Sequence, residues 1–179
     1  MAPDPKACRL LLEDHRVPEH IRRHSAQVAR IARRLAEALR LRGEPLDPDL
    51  VEAAALTHDI AKADCLDSAR DHAREGGTVL RELGYPELGE LVERHVELGP
   101  WDPAGPVTEA ELLNYSDKRV RHEEVVPLDE RFEDLLERYG RGNPRAEARI
   151  RETWETTVAV EEKIFSRLPF GPNDSDLLS

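Results

Sequence analysis

The chain has 179 residues, 39% of them hydrophobic and only 4% aromatic, so Leu, Ala and Val must fill the core of one domain. A formal net charge of −11 repels a phosphate backbone and argues against a partner that is a nucleic-acid polymer. Two cysteines, Cys8 and Cys65, with no signal peptide and no long apolar span, point to a reducing cytoplasm and away from a membrane. They lie too far apart for a zinc-site spacing.

Apolar segments dominated by Ala, Leu, Glu and Arg favour helices, and alternating β-branched runs are nearly absent. The expected class is all-α, a bundle of about six to eight helices. Ile21, His24, Val28, Ile31, Leu35 and Leu39 recur in steps of three and four, which predicts a first helix over Pro18–Leu41 with His24 turned inward. RGEPLDP breaks it. The second helix, from about Pro48 to Lys62, has little polar face and should be central and buried. His58 and Asp59 stand near its C-terminal end, where the helix dipole favours a cation.

A third helix is expected from His72 to Gly84, with Thr78, Val79, Leu80 and Leu83 facing in. Pro86 opens a fourth, in which Leu88, Leu91, Val92, His95 and Val96 share a side, and LGPWDPAGP stops it. Thr108 and Glu111 form a capping-box pattern for a fifth helix carrying Leu112, Leu113, Ser116, Asp117 and Val120. A sixth spans about Asp129–Tyr139, GRGNP turns, and a long last helix runs from near Pro144 to Leu168. Residues 1–168 then form one domain, and the Pro- and Gly-containing tail over 169–179 should be mobile.

Imidazoles and carboxylates on otherwise apolar helical stripes need partners, because an unpaired buried polar group is costly. His24, His58, Asp59, His72, His95 and Asp117 are such residues, and divalent metal ions would satisfy all of them. The segments EHIRRHSAQVARIA, AAALTHDIAK, DHAREGGTVLRELGYPELGELVERHV and NYSDKRV resemble, in order, the HD superfamily of metal-dependent phosphohydrolases. The resemblance covers about residues 18–125.

That resemblance implies an HD-type helical domain with His24, His58, Asp59 and Asp117 as core metal ligands. His72 and His95 are similar to the extra histidines of binuclear members, with Asp59 bridging two ions. Carboxylates mixed with imidazoles suit iron, manganese, zinc, cobalt or nickel. The implied reaction is attack on phosphorus by a hydroxide shared between the ions. The implied substrate is a nucleotide or another small phosphate ester or anhydride, with a dinucleoside polyphosphate the nearest specific case. Lys62 matches the lysine of HD-x-x-K and should hold a phosphate oxygen as a point charge, acting with Asp59 in catalysis. Arg119, flanking Asp117, is a further candidate phosphate contact; its neighbours Lys118 and Arg121 read as exposed helix charges.

Two alternatives belong to other classes. Some HD-fold proteins use the same ligand types to hold two irons that activate oxygen, so iron content and oxygen consumption discriminate. A nucleotide-sensing module that only binds has no need of a complete ligand set, and an all-negative phosphatase panel with tight nucleotide binding would favour it.

Other polar residues read more simply. His20 forms His-x-x-x-His with His24 but lies outside the matched motif; His15 and His122 read as surface residues. Asp64, Asp67 and Asp71 read as a solvated loop, Asp71 capping the helix that bears His72. Cys65 reads as packing. Trp101 either stacks at a pocket mouth or pins the Pro-rich loop.

Overall fold

A computed structural model describes residues 2–66, 68 and 70–174. Asp67 and residues 175–179, part of the expected loop cluster and tail, lie outside the described residues. The helices are α1 (Pro5–Asp14), α2 (Glu19–Arg40), α3 (Pro48–Thr57), α4 (Lys62–Cys65), α5 (His72–Glu82), α6 (Pro86–Glu93) and α7 (Glu109–Lys118). A short antiparallel hairpin follows, β1 (Val120–Arg121) with β2 (Glu124–Val125), in the register Val120↔Val125 and Arg121↔Glu124. Then come α8 (Leu128–Leu135), a π-helical turn (Leu136–Gly140) and α9 (Pro144–Phe165). The domain is all-α apart from that hairpin.

Local chemistry starts most of these helices where expected. Asp47 accepts from the amides of Asp49 and Leu50 ahead of Pro48, and Asp71 accepts from Ala73. The reciprocal bonds of Thr108 and Glu111 are both present. Asp4 caps α1 through Ala7, an additional helix that the hydrophobic pattern did not single out.

α3 is the central element. Val51, Ala53, Ala54, Ala55, Leu56 and Thr57 are buried, and their small side chains let α1, α2, α6 and α7 approach it closely. From α2, Ile21, Val28, Ile31, Leu35 and Leu39 are buried along the anticipated stripe.

Four expectations are corrected. The second helix ends at Thr57 rather than Lys62; the chain turns through residues 58–61 and resumes as the single-turn α4. The fourth ends at Glu93, so His95 and Val96 lie beyond it in a turn. The fifth ends at Lys118, placing Val120 on β1 instead. In the third, the buried face is Ala73, Gly76, Gly77 and Leu80, while Thr78 and Leu83 are exposed and Val79 is half-buried. Glycine decides that last point. A Cβ on Gly77 would lie 2.7 Å from the Gly89 carbonyl oxygen, and one on Gly89 would lie 2.6 Å from that of Gly77. The backbones of α5 and α6 therefore touch, and α5 rolls its glycines, not its larger residues, against α6.

Candidate metal centre

The site forms where the C-terminal end of α3 meets α2, the start of α5, the turn after α6 and the end of α7. His24, His58, Asp59, His95 and Asp117 are buried, and His72 is half-buried. Because α3 stops at Thr57, the adjacent side chains of His58 and Asp59 converge, with His58 Nε2 3.4 Å from Asp59 Oδ2.

Two groups share Asp59. In the first, ligand atoms of His24, His58 and Asp59 all lie within 4.8 Å of one another; in the second, those of Asp59, His72 and His95 do. Asp117 belongs to the first side, its Oδ1 lying 3.1 Å from His24 Nε2 and 3.6 Å from His58 Nε2. Asp59 divides its oxygens: Oδ2 faces His58, whereas Oδ1 lies 3.5 Å from His72 Nε2 and 3.6 Å from His95 Nε2. One carboxylate with an oxygen toward each group is the arrangement of a bridging ligand.

Three imidazoles are oriented the same way. Their Nδ1 atoms donate to main-chain carbonyls: His24 to His122 at 2.9 Å, His58 to Ala55 at 2.8 Å and His95 to Val92 at 2.6 Å. Each Nε2 is thereby turned into the site, the atom a metal would take from a neutral ring.

The residues fit metal ions on the protein's own terms. His58 Nε2 and Asp59 Oδ1 are buried with no hydrogen-bond partner among the described residues. His72 Nε2 and His95 Nε2 face each other at 3.2 Å. Orphaned acceptors in a buried pocket are costly unless a cation satisfies them. The two clusters are positioned to coordinate divalent ions, consistent with a binuclear transition-metal site of mixed nitrogen and oxygen ligands.

Electrostatics keep both carboxylates ionised and His72 and His95 neutral, whereas His58 holds a proton until a cation displaces it. Burial alone would push the Asp59 and Asp117 carboxyls up, but His58 and Lys62 beside the first, and Lys118 with both histidines beside the second, hold them well below the usual range. Burial and the neighbouring His95 push His72 down to about 4, and burial also lowers His95. Burial opposes a charge on His58, but the carboxylates of Asp59 and Asp117 outweigh it and raise that imidazole to about 10. Ionised carboxylates and neutral His72 and His95 are ready to bind a cation; His58 would surrender its proton to one.

Lys62 lies at the edge of the site, its Nζ donating to Asp59 Oδ2 at 2.7 Å, and it lines the cavity above. Arg119 does not reach that cavity. Its side chain is fully buried and donates to the Val126 carbonyl, the Tyr115 hydroxyl and Asn173, with Glu161 at 3.4 Å. A phosphate contact there is ruled out by position. Arg119 braces the end of α7 against the segment after β2 and against α9. Arg119→Ala should lower unfolding free energy by about 3 kcal/mol, the low end for a broken buried pair because Glu161 keeps some solvent access. Urea unfolding checks this, and metal content of the folded variant should be unchanged.

Other side chains also depart from the reading as surface charges. Lys118 is buried, and its Nζ donates to Asp117 Oδ2 at 2.8 Å and to the His95 carbonyl at 3.0 Å, tying two ligand segments together. Arg121 sits on β1, not on a helix, and is paired with Glu130 at 2.7 Å. His122 is exposed, as expected for a surface residue, but its main-chain oxygen orients His24; it occupies the left-handed region at φ 57 in the hairpin loop. No sequence signal reveals a carbonyl, since every residue carries one. His20 lines the cavity without joining either cluster. Trp101 pins its loop: Lys163 Nζ lies 5.5 Å from the ring centroid and also binds Glu111 and the Asp102 carbonyl. Cys8 and Cys65 are free and buried.

Among the described residues no helix is long and apolar enough to cross a membrane. The chain is 28% identical over 139 residues to an uncharacterized protein of Methanocaldococcus jannaschii, covering 70% of this chain and 81% of that one. It is 27% identical over 172 residues to a tRNA (cytidine(56)-2'-O)-methyltransferase of Picrophilus torridus, covering 88% of this chain but only 47% of that protein. No solved structure matches. A family model of the HD domain matches residues 21–136, the segment that carries every residue of both ligand clusters, and this chain belongs to the HD-domain family.

Proposed function

We propose that the protein is a metal-dependent phosphohydrolase acting on a nucleotide or another small phosphate ester or anhydride, with dinucleoside polyphosphates as the nearest specific case. The observation that carries this reading is the divided Asp59 carboxylate, with one oxygen toward each of two ligand groups and Oδ1 buried without a hydrogen-bond partner among the described residues. The implied pair of divalent ions, when bound, supplies a water acidic enough to attack phosphorus near neutral pH and neutralises charge growing on the phosphoryl oxygens.

This chain's residues do the rest. His24, His58 and Asp117 hold one side of the site, and His72 and His95 the other, with Asp59 between them. The carbonyls behind His24, His58 and His95 hold those rings at fixed angles, so little reorganisation accompanies the reaction. Lys62 projects from the Asp59 edge into the cavity, where its ammonium meets a phosphoryl oxygen that gains charge.

Metal analysis of protein purified without chelator should find two equivalents per chain, and a panel of nucleotides and phosphate esters should include substrates. Replacing His72 and His95 together by Ala should leave one equivalent and little activity. Near-normal hydrolysis by that variant would reduce the site to one working ion. A wholly negative panel, with iron content and substrate-dependent oxygen consumption, would replace the hydrolase reading by an oxygenase.

A further inference from the structure

The cavity over the metal centre has a volume of about 1040 Å³, at the upper end of the roughly 300–1,000 Å³ usual for small-molecule sites. Part of its wall is the ligand set. Further lining comes from α8, inside the segment matched by the HD family, and from Arg138, Tyr139 and the first half of α9, which lie beyond it.

Charge inverts over the cavity lining as a whole. The whole chain carries 37 acidic against 26 basic side chains, yet seven Lys or Arg and five Asp or Glu line the cavity. The pairing there is incomplete. Asp134 is shared by Arg131 at 3.2 Å and Arg138 at 2.8 Å, so one carboxylate serves two guanidinium groups. Arg131 Nε is buried and has no hydrogen-bond partner among the described residues. Arg149 meets Glu97 at 3.1 Å, but both side chains are mostly exposed, and such a pair is weak enough to yield to a better anion. Arg145 lines the cavity with no ion pair among the described residues.

Arg145 and Arg149 are four residues apart on α9, one turn along the same face, with Ala146 and Ile150 beside them. Arg138 approaches from the π-helical turn, with its Nε at Asp134 and one Nη donating to His122 Nε2 at 2.8 Å, which leaves only its other Nη for the set formed with Arg145 and Arg149. The planar guanidinium groups of Arg145, without an ion pair among the described residues, and of Arg149, in one exposed pair, flanked by the apolar surface of Phe132, Leu135 and Ile150, suit an anionic group attached to an organic body.

We propose that Arg138, Arg145 and Arg149 form an anion subsite distinct from the metal centre, which holds a second anionic group of the substrate remote from the reacting phosphate. The substrate class is then an organic phosphate with at least two separated anionic groups, such as a nucleotide with a long phosphate chain, rather than a simple monophosphate. The word substrate rests on the hydrolase reading; the binding itself does not.

Equilibrium dialysis in the cold separates the two. The metal-loaded protein is tested with adenosine 5′-tetraphosphate and with adenosine 5′-monophosphate, the retained nucleotide being identified by chromatography. The wild type should bind the tetraphosphate at least about tenfold more tightly, and Arg145→Ala with Arg149→Ala should remove about that factor for the tetraphosphate while changing the monophosphate less than about twofold. Both side chains are on the exposed side of α9, and circular dichroism confirms that the variant is folded. Equal losses for both nucleotides, or a tetraphosphate preference that survives in the variant through metal chelation alone, overturn the subsite. If the arginine-dependent preference holds while no phosphate compound is hydrolysed, the subsite stands and the hydrolase reading falls. If hydrolysis is found without that dependence, the reverse holds.

Discussion

Asp59→Ala should strip the protein of both metal equivalents and lower kcat by more than about a thousandfold. The side chain is 1% exposed and is the one carboxylate common to both ligand groups. Removing it takes an oxygen from each group at once, and it leaves His58 and Lys62 with only Asp117 to balance them. A variant that still loads one ion carries excess positive charge in a buried site, which disfavours a second. Metal analysis of the purified variant, set beside its rate on the best substrate of the panel, checks both parts. Retention of two equivalents would show that Asp59 does not bridge.

Lys62→Ala should do the opposite to the metal and nearly as much to the rate. Both equivalents should remain, because Lys62 touches the site only through Asp59 Oδ2 and its side chain is more than one-third exposed at the cavity. The loss should be roughly 2.7–4 kcal/mol of transition-state stabilisation, the usual effect of deleting one well-placed electrostatic donor. Equal falls in kcat and kcat/KM would place the contact in the transition state, whereas a change confined to KM would make Lys62 a uniform binding residue. Hydrolysis as fast as the parent's would remove Lys62 from the mechanism. The hydrolase reading would then rest on the metal ligands alone.

The pair of variants separates two kinds of positive charge in one site. On the hydrolase reading Lys62 and the ions both counter phosphate charge, but only the ions would need Asp59 to be held. A protein that loses rate with both variants and metal with one has the division of labour argued from the geometry.

The amino-acid sequence by itself determined the class of the fold and the ligand types. Steps of three and four in α2, the small apolar run of α3 and the caps at Asp47, Asp71 and Thr108 are local features, set by helix geometry and by main-chain donors within a few residues. The order of His24, His58, Asp59, His72, His95 and Asp117 was legible through the resemblance of the segments that carry them to the HD superfamily. Only the tertiary structure decided how those residues are used. That α3 ends at Thr57, that Gly77 touches Gly89 and that Arg119 turns away from the cavity to Tyr115 and Val126 all depend on segments distant in the chain. Lys118 and Arg119 are adjacent cations at the end of one helix, yet one anchors Asp117 beside the first cluster and the other braces the bundle. Their separate fates follow from where partners lie in space, because a buried charge goes to whichever carboxylate and carbonyl the packing of other helices brings to it.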